Sequence, residues 1–179
     1  MMQNRRCLST RITTIMFFFG LFLIVLAVYL KATEVPSPSY PDDEWEFLWF
    51  KYTEDPEDPW GEYIKKTQCS DWNFDYNYTG GIVADTGEFE LVGFRASRTL
   101  FVSSRTRYGF LLGSDDGCRL YIYDSNFEDV TRMAYGWRDQ SYSVYSCERV
   151  LDEGEYKILL EWYEHFDLAQ ITFNMTIIK

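Results

Sequence analysis

The sequence predicts an all-β domain, an antiparallel β-sandwich, preceded by a single N-terminal transmembrane helix. Three observations carry this. Residues 12–30 are uncharged and almost wholly apolar. Beyond about residue 60, short runs of alternating apolar and polar residues recur with polar turns between them, and no helical period develops. Aromatic residues make up 19% of the 179-residue chain against 25% charged, which is enough bulky apolar material to pack a core and argues against disorder.

Taken in order, residues 1–11 read as a short tail carrying Arg5, Arg6 and Arg11 and no acid. As a helix, residues 12–30 would span roughly 28 Å at about 1.5 Å per residue, close to a bilayer core. Three arginines before this run and only Lys31 close behind it place the tail in the cytoplasm and the rest of the chain outside or in a lumen. This is a type II single-pass arrangement. The competing reading is a cleaved signal peptide, but the apolar core is long for one and no small-x-small cleavage site stands near Lys31-Ala-Thr33.

Residues 31–60 hold all five prolines and two acidic clusters, Asp42-Asp-Glu44 and Glu54 to Asp58. Prolines and like charges both extend a chain, so this segment reads as an acidic stalk. The patch Trp45-Glu-Phe-Leu-Trp-Phe50 interrupts it and is too aromatic to stay solvated. It is expected to dock on the domain as a first strand or to lie at the membrane surface.

The domain proper is expected over 61–179. Strands are read at Glu88–Phe94, Thr99–Val102 and Tyr108–Leu112, then around Leu120 and Ile122, and from Tyr142 to Tyr145. Tyr156, Ile158, Leu160 and Trp162 line one face of a long strand. In the last strand Ala169, Ile171, Phe173, Met175 and Ile177 point one way and Gln170, Thr172, Asn174 and Thr176 the other. Asn77-Tyr-Thr79 and Asn174-Met-Thr176 are glycosylation sequons, and Asn174 falls on the solvent face. Three cysteines follow the anchor. An oxidising compartment would favour one bridge and one leftover thiol, and Cys118 with Cys147 is the preferred pair because both sit on expected strands.

The net charge is −11, and every acidic residue lies beyond residue 30. Such a surface repels phosphate backbones, which excludes nucleic acid as a partner and suits cations and neutral ligands. His165 is the only histidine, so histidine-rich zinc sites are excluded. No nucleophile-elbow pattern or Gly-rich phosphate loop occurs. The chain reads as a binding protein and not as an enzyme.

The most informative stretch is Gly113-Ser-Asp-Asp-Gly117. Adjacent carboxylates repel each other, so they need backbone N–H donors, a cation or a hydroxyl partner. Tyr108-Gly-Phe-Leu-Leu-Gly-Ser-Asp-Asp-Gly-Cys-Arg-Leu-Tyr-Ile122 resembles the central signature of the domain family named after the anthrax protective antigen (PA14). Val150 to Glu164 resembles its "L-x-x-G-x-Y-x-I-x-L-E-Y-Y-E" element, and Leu168 to Phe173 its closing strand. The likeness covers about residues 70–178.

It implies a β-sandwich module whose theme is carbohydrate binding. It also implies a calcium ion held by Asp115 and Asp116 through a cis peptide, with sugar hydroxyls on the ion. Glu164 stands where the calcium-binding adhesins of the family place an asparagine, so it either adds a carboxylate ligand or holds the loop. Tyr135, Trp137 and Tyr163 are candidates for stacking on sugar faces, with core packing as their other fate. For the aspartate pair the alternative is a turn in which the carboxylates accept backbone N–H bonds and brace the sandwich. The expected function is a membrane-anchored, extracytoplasmic module that binds a glycan or glycoconjugate with calcium. The alternative is a non-catalytic interaction module of an envelope or lumenal complex.

Overall fold

The computed structural model describes residues 44–179, apart from Pro56, Thr79, Phe127 and Glu128 and the side chains of 129, 130 and 132–135. The expected tail, the anchor over 12–30 and the stalk up to residue 43 lie outside the described residues. Among the described residues no helix is long and apolar enough to cross a membrane.

Ten strands and one 3-10 turn, Val83–Asp85, are described. The strands are β1 Trp45–Tyr52, β2 Trp60–Cys69, β3 Phe74–Asn77, β4 Val92–Val102, β5 Thr106–Asp115, β6 Gly117–Tyr123, β7 Asp129–Gly136, β8 Ser143–Leu151, β9 Gly154–Glu164 and β10 Gln170–Ile177. They make two antiparallel sheets, ordered β2-β1-β4-β9-β6-β7 and β3-β10-β5-β8. The inner faces meet in one core. The larger sheet contributes Trp49, Phe94, Leu120, Ile158 and Trp162, and the smaller Phe110, Leu112, Ile171 and Phe173. The expected all-β sandwich is what the chain builds.

The 31–60 stalk needs correcting from residue 45 onward. β1 lies between β2 and β4, well inside the larger sheet. Trp45 reaches across the core, with its ring 5.1 Å from Phe173 and 5.8 Å from Phe74 of the opposite sheet. All six residues from Trp45 to Phe50 are buried. A strand buried on both faces reads as a near-continuous apolar run and not as an alternation, which is why its place in the sheet is hard to see from sequence. Trp45→Ala is expected to lower the unfolding free energy by about 3–5 kcal/mol, the usual cost of deleting a buried tryptophan. Urea denaturation measures this, and a stalk residue would show almost no effect.

The two strands read at 88–94 and 99–102 are one strand, β4, and residues 88–91 belong to the loop before it. Arg95 and Arg98 broke the apolar pattern, but each has a local partner. Arg95 Nε donates to Glu161 Oε1 at 2.9 Å, while Arg119 pairs with the other oxygen of Glu161. The Arg98 guanidinium lies 3.8 Å over the Trp72 ring and donates to the carbonyls of Ser70 and Asp71 at 2.9 and 3.0 Å. Arg95 keeps its head half in solvent on the outer face, and only Arg98 is buried, its guanidinium placed against an aromatic ring and two carbonyls.

β10 follows its sequence alternation, with Ile171 and Phe173 buried and Asn174 exposed; Asn77, at the end of β3, is also exposed. The expected Cys118–Cys147 bridge is not formed, and no disulfide joins the described cysteines. Cys118 is fully buried on β6 of the larger sheet, and burial pushes its thiol up to about 12. Cys147 belongs to the smaller sheet, on its edge strand β8.

One topological step positions the site. β5 ends in the smaller sheet at Asp115, and β6 begins in the larger sheet at Gly117. The aspartate pair therefore spans the two sheets at one end of the sandwich. The register places Gln170 opposite Asp115 and Tyr163 opposite Gly117, so the β9–β10 connection lies at the same end.

Candidate cation and ligand site

Asp115, Asp116 and Glu164 converge at this end. One carboxylate oxygen of each lies within 4.8 Å of the others, and all three residues are buried. The Asp115–Asp116 peptide is cis. Gly117 is required here because a Cβ at that position would stand 2.0 Å from Tyr163 Cε1.

The backbone of two loops holds the aspartates. Asp116 Oδ2 accepts from the N–H groups of His165 at 2.9 Å and Phe166 at 3.2 Å, and its Oδ1 accepts from Gln140 N at 2.9 Å. Asp115 Oδ2 accepts from Tyr142 N at 2.9 Å. The peptide carbonyls are held too. Trp162 Nε1 donates to Asp115 O at 3.1 Å, and Ser114 Oγ and Gln140 Nε2 donate to Asp116 O at 2.7 and 3.1 Å. The bracing reading of the pair is thus realised, because Asp116 ties both the 137–142 and 165–169 loops to the β5–β6 step and Asp115 ties the first of them.

Glu164 is different. It is 0% exposed, and neither of its carboxylate oxygens has a hydrogen-bond partner. Burial, followed by the charges of Asp116 and Asp115, pushes its carboxyl up to about 9. Burial and then the Asp116 charge also raise Asp115, while the Tyr142 N–H opposes them. Buried carboxyls without donors are rare because the charged form loses its solvation. Such a group carries a proton or faces a cation.

The donor set fits a hard divalent cation. Carboxylate oxygens from three residues within 4.8 Å of one another suit an ion that takes oxygen ligands at about 2.3–2.6 Å, as calcium does. Magnesium demands tighter octahedral geometry and usually keeps more of its waters.

The aromatic candidates are placed differently. Tyr163 is buried, stacked on Tyr52 with ring centroids 4.0 Å apart, and donates from its hydroxyl to Asp139 Oδ1 at 2.9 Å. Trp137 packs edge-on against Tyr163 and Trp60, and the Arg119 guanidinium lies 3.8 Å over its ring. Tyr163 has a face taken up by Tyr52 inside the protein, and half-buried Trp137 has one covered by Arg119. The side chain of Tyr135 lies outside the described residues. Two exposed rings stand beside the carboxylates: Phe166, 55% exposed, held by its N–H to Asp116 and lying against the His165 ring, and Tyr142, 40% exposed, held by its N–H to Asp115.

His165 is drawn between two acids. Its Nδ1 lies 2.8 Å from Asp139 Oδ2, and its Nε2 lies 3.5 Å from Glu54 Oε1. Among the described residues no hydroxyl or thiol bonds it. Asp139, Gln140 and Phe166 carry no motif in the sequence. The one available signal was their proximity to Trp137 and Glu164.

No family model matches this chain, and no curated protein matches it. Solved structures do. The chain is similar to an anti-sigma factor domain-containing protein, with TM-score 0.56 and 17% identity over 74% of this chain and 42% of that one. It is also similar to the PA14 domain of the MpAFP antifreeze protein, with TM-score 0.50 and 14% identity over 80% and 87% of the two chains. The A domain of epithelial adhesin 9 from Candida glabrata, solved in complex with Galβ1-4GlcNAc, aligns at TM-score 0.48 and 12% identity over 79% and 87%. The chain thus spans less than half of the first of these proteins and most of the other two. At these identities the likeness concerns the fold, and that fold is PA14-like.

Proposed function

We propose that this chain is a membrane-anchored, extracytoplasmic carbohydrate-binding module whose ligand meets a calcium ion held by Asp115, Asp116 and Glu164. The observation that carries the reading is the donor-less Glu164 carboxylate, fully buried beside two aspartates whose backbone partners are already in place. Three carboxylates beside one divalent ion leave about one negative charge, close to balance. Calcium bound there would supply open coordination positions for neutral hydroxyl groups. Phe166, exposed at the rim, offers the apolar face on which a sugar ring can lie. The resemblance of Tyr108–Ile122 and Val150–Glu164 to the protective-antigen signature supports the same reading. Membrane anchoring rests on residues 12–30 and the arginines before them.

The reading is non-catalytic. His165 is turned toward Asp139 and Glu54, and a carboxylate cluster braced by backbone N–H groups holds an ion in place without supplying a nucleophile.

The test is calorimetric titration of calcium into the chelator-treated full-length protein in detergent, followed by a glycan array with and without chelator. Calcium heat and chelator-sensitive glycan retention are expected. Absence of both would overturn the proposal, and calcium heat without glycan retention would leave a structural ion and remove the lectin reading.

A further inference from the structure

Sheets end in strands with one unpaired edge, and proteins guard such edges with charges, bulges or short length. The edges here differ in this respect. β3 has only four residues. β2 carries Lys65 and Lys66, and its register against β1 is broken twice. The pairing of β7 with β6 is also broken twice. β8 carries Glu148 and Arg149, but unlike the others it is neither short nor broken in register. It runs nine residues from Ser143 to Leu151, pairs with β5 from Ser114↔Ser143 to Thr106↔Leu151 without a register shift, and has a single hydrogen-bonded neighbour. Its outward residues include Val144 and Val150, which are 54% and 46% exposed.

We infer that β8 pairs with β8 of a second copy of this chain, joining the two four-stranded sheets into one across a twofold axis at Cys147. The argument is one of register. In an antiparallel self-pairing, opposed residues share a face, so the axis must pass through a residue and not between two. With the axis at Cys147, Val144 opposes Val150 of the second copy and Ser146 opposes Glu148. This makes two apolar pairs flanking two neutral–charged ones. Moving the axis to Ser146 sets Glu148 against Val144. Moving it to Glu148 sets that carboxylate against itself. Cross-strand pairs of this kind are the unit of sheet stabilisation, and like charges directly opposite disrupt it. The interface is isologous and closes on two copies. It uses no residue of the carboxylate site.

The test is sedimentation equilibrium of the full-length protein in detergent, with Val144 and Val150 as paired reporters. Both are exposed, so their replacement leaves the core untouched. The wild type is expected to be dimeric. Val144→Glu with Val150→Glu places like charges at both ends of the paired strands and should abolish the dimer while the far-UV circular dichroism spectrum stays that of the folded chain. Val144→Lys with Val150→Glu restores opposite charges in this register and should restore the dimer. A monomeric wild type would overturn the inference. So would a dimer indifferent to the double glutamate, or a charge-swapped variant that stays monomeric.

Discussion

Asp116→Ala is expected to lower the unfolding free energy by about 3–5 kcal/mol in chelator, where no ion contributes. Asp116 accepts three backbone N–H groups, from Gln140, His165 and Phe166. A buried donor deprived of its acceptor costs roughly 1–3 kcal/mol, and water entering the gap recovers part of it. Relief of the repulsion between Asp116 and Asp115 offsets a further part. Asp116→Asn keeps one acceptor oxygen and should lose less. Asp115→Ala frees one N–H, that of Tyr142, and should also lose less. Guanidinium denaturation of the three variants in chelator measures the series. An Asp116→Ala protein within about 0.5 kcal/mol of wild type would mean that the aspartate does not tie the two loops together.

The second large effect is a reversal in Glu164→Gln. Without a cation, the Glu164 carboxyl titrates near 9 in the folded chain against an ordinary value near 4.5. Between those values the folded state binds a proton that the unfolded state has released. Stability is therefore fully present below about 4.5 and is lost as pH rises toward 9, with a slope of up to ~1.4 kcal/mol per pH unit for one proton. Glutamine imitates the protonated acid and does not titrate. In chelator at pH 8, Glu164→Gln should melt above wild type.

With excess calcium the order should invert, because the ion binds the ionised carboxylate and stabilises only the state that holds it. The calcium-induced rise in Tm should grow from pH 5 to pH 8 in wild type and stay flat in the variant. Scanning fluorimetry at four pH values, with calcium or with chelator, reads both. Equal calcium shifts in the two proteins, or a wild type more stable than the variant in chelator at pH 8, would remove Glu164 from any ion site.

The parts of the fold that were legible are those where one face meets the core and the other meets solvent. β10 alternates cleanly and lands with Ile171 and Phe173 inside and Asn174 outside. The inward positions of β9 were equally clear. Its outward positions misled, because Glu161 and Tyr163 are buried there, the first between two arginines and the second against Tyr52. β2 and β3 were missed because edge strands with few buried positions show little period. β1 was visible as an aromatic patch that had to dock, but not as a central strand, since apolar residues on both faces erase the period that reports an orientation.

The carboxylate site shows the same division. Two adjacent aspartates before a glycine are a local pattern, so Asp115 and Asp116 could be singled out by reading alone, and Glu164 through the resemblance of Val150–Glu164 to the family's later element. What surrounds those side chains is not local. The donors to Asp116 come from residues 24 to 50 positions away in the chain. Tyr163 on β9 is turned into the interior, Trp137 is half-buried against it, and the 165–169 loop leaves Phe166 at the surface. The sequence by itself determined the all-β class and the alternation of the last strands and drew attention to Asp115 and Asp116, while Glu164 entered through the family resemblance. Only the tertiary structure decided that two of those acids are held by N–H groups while the third is left without a donor. Solvation and hydrogen bonding depend on which distant segments are packed around a group, and no spacing along the chain encodes that by itself.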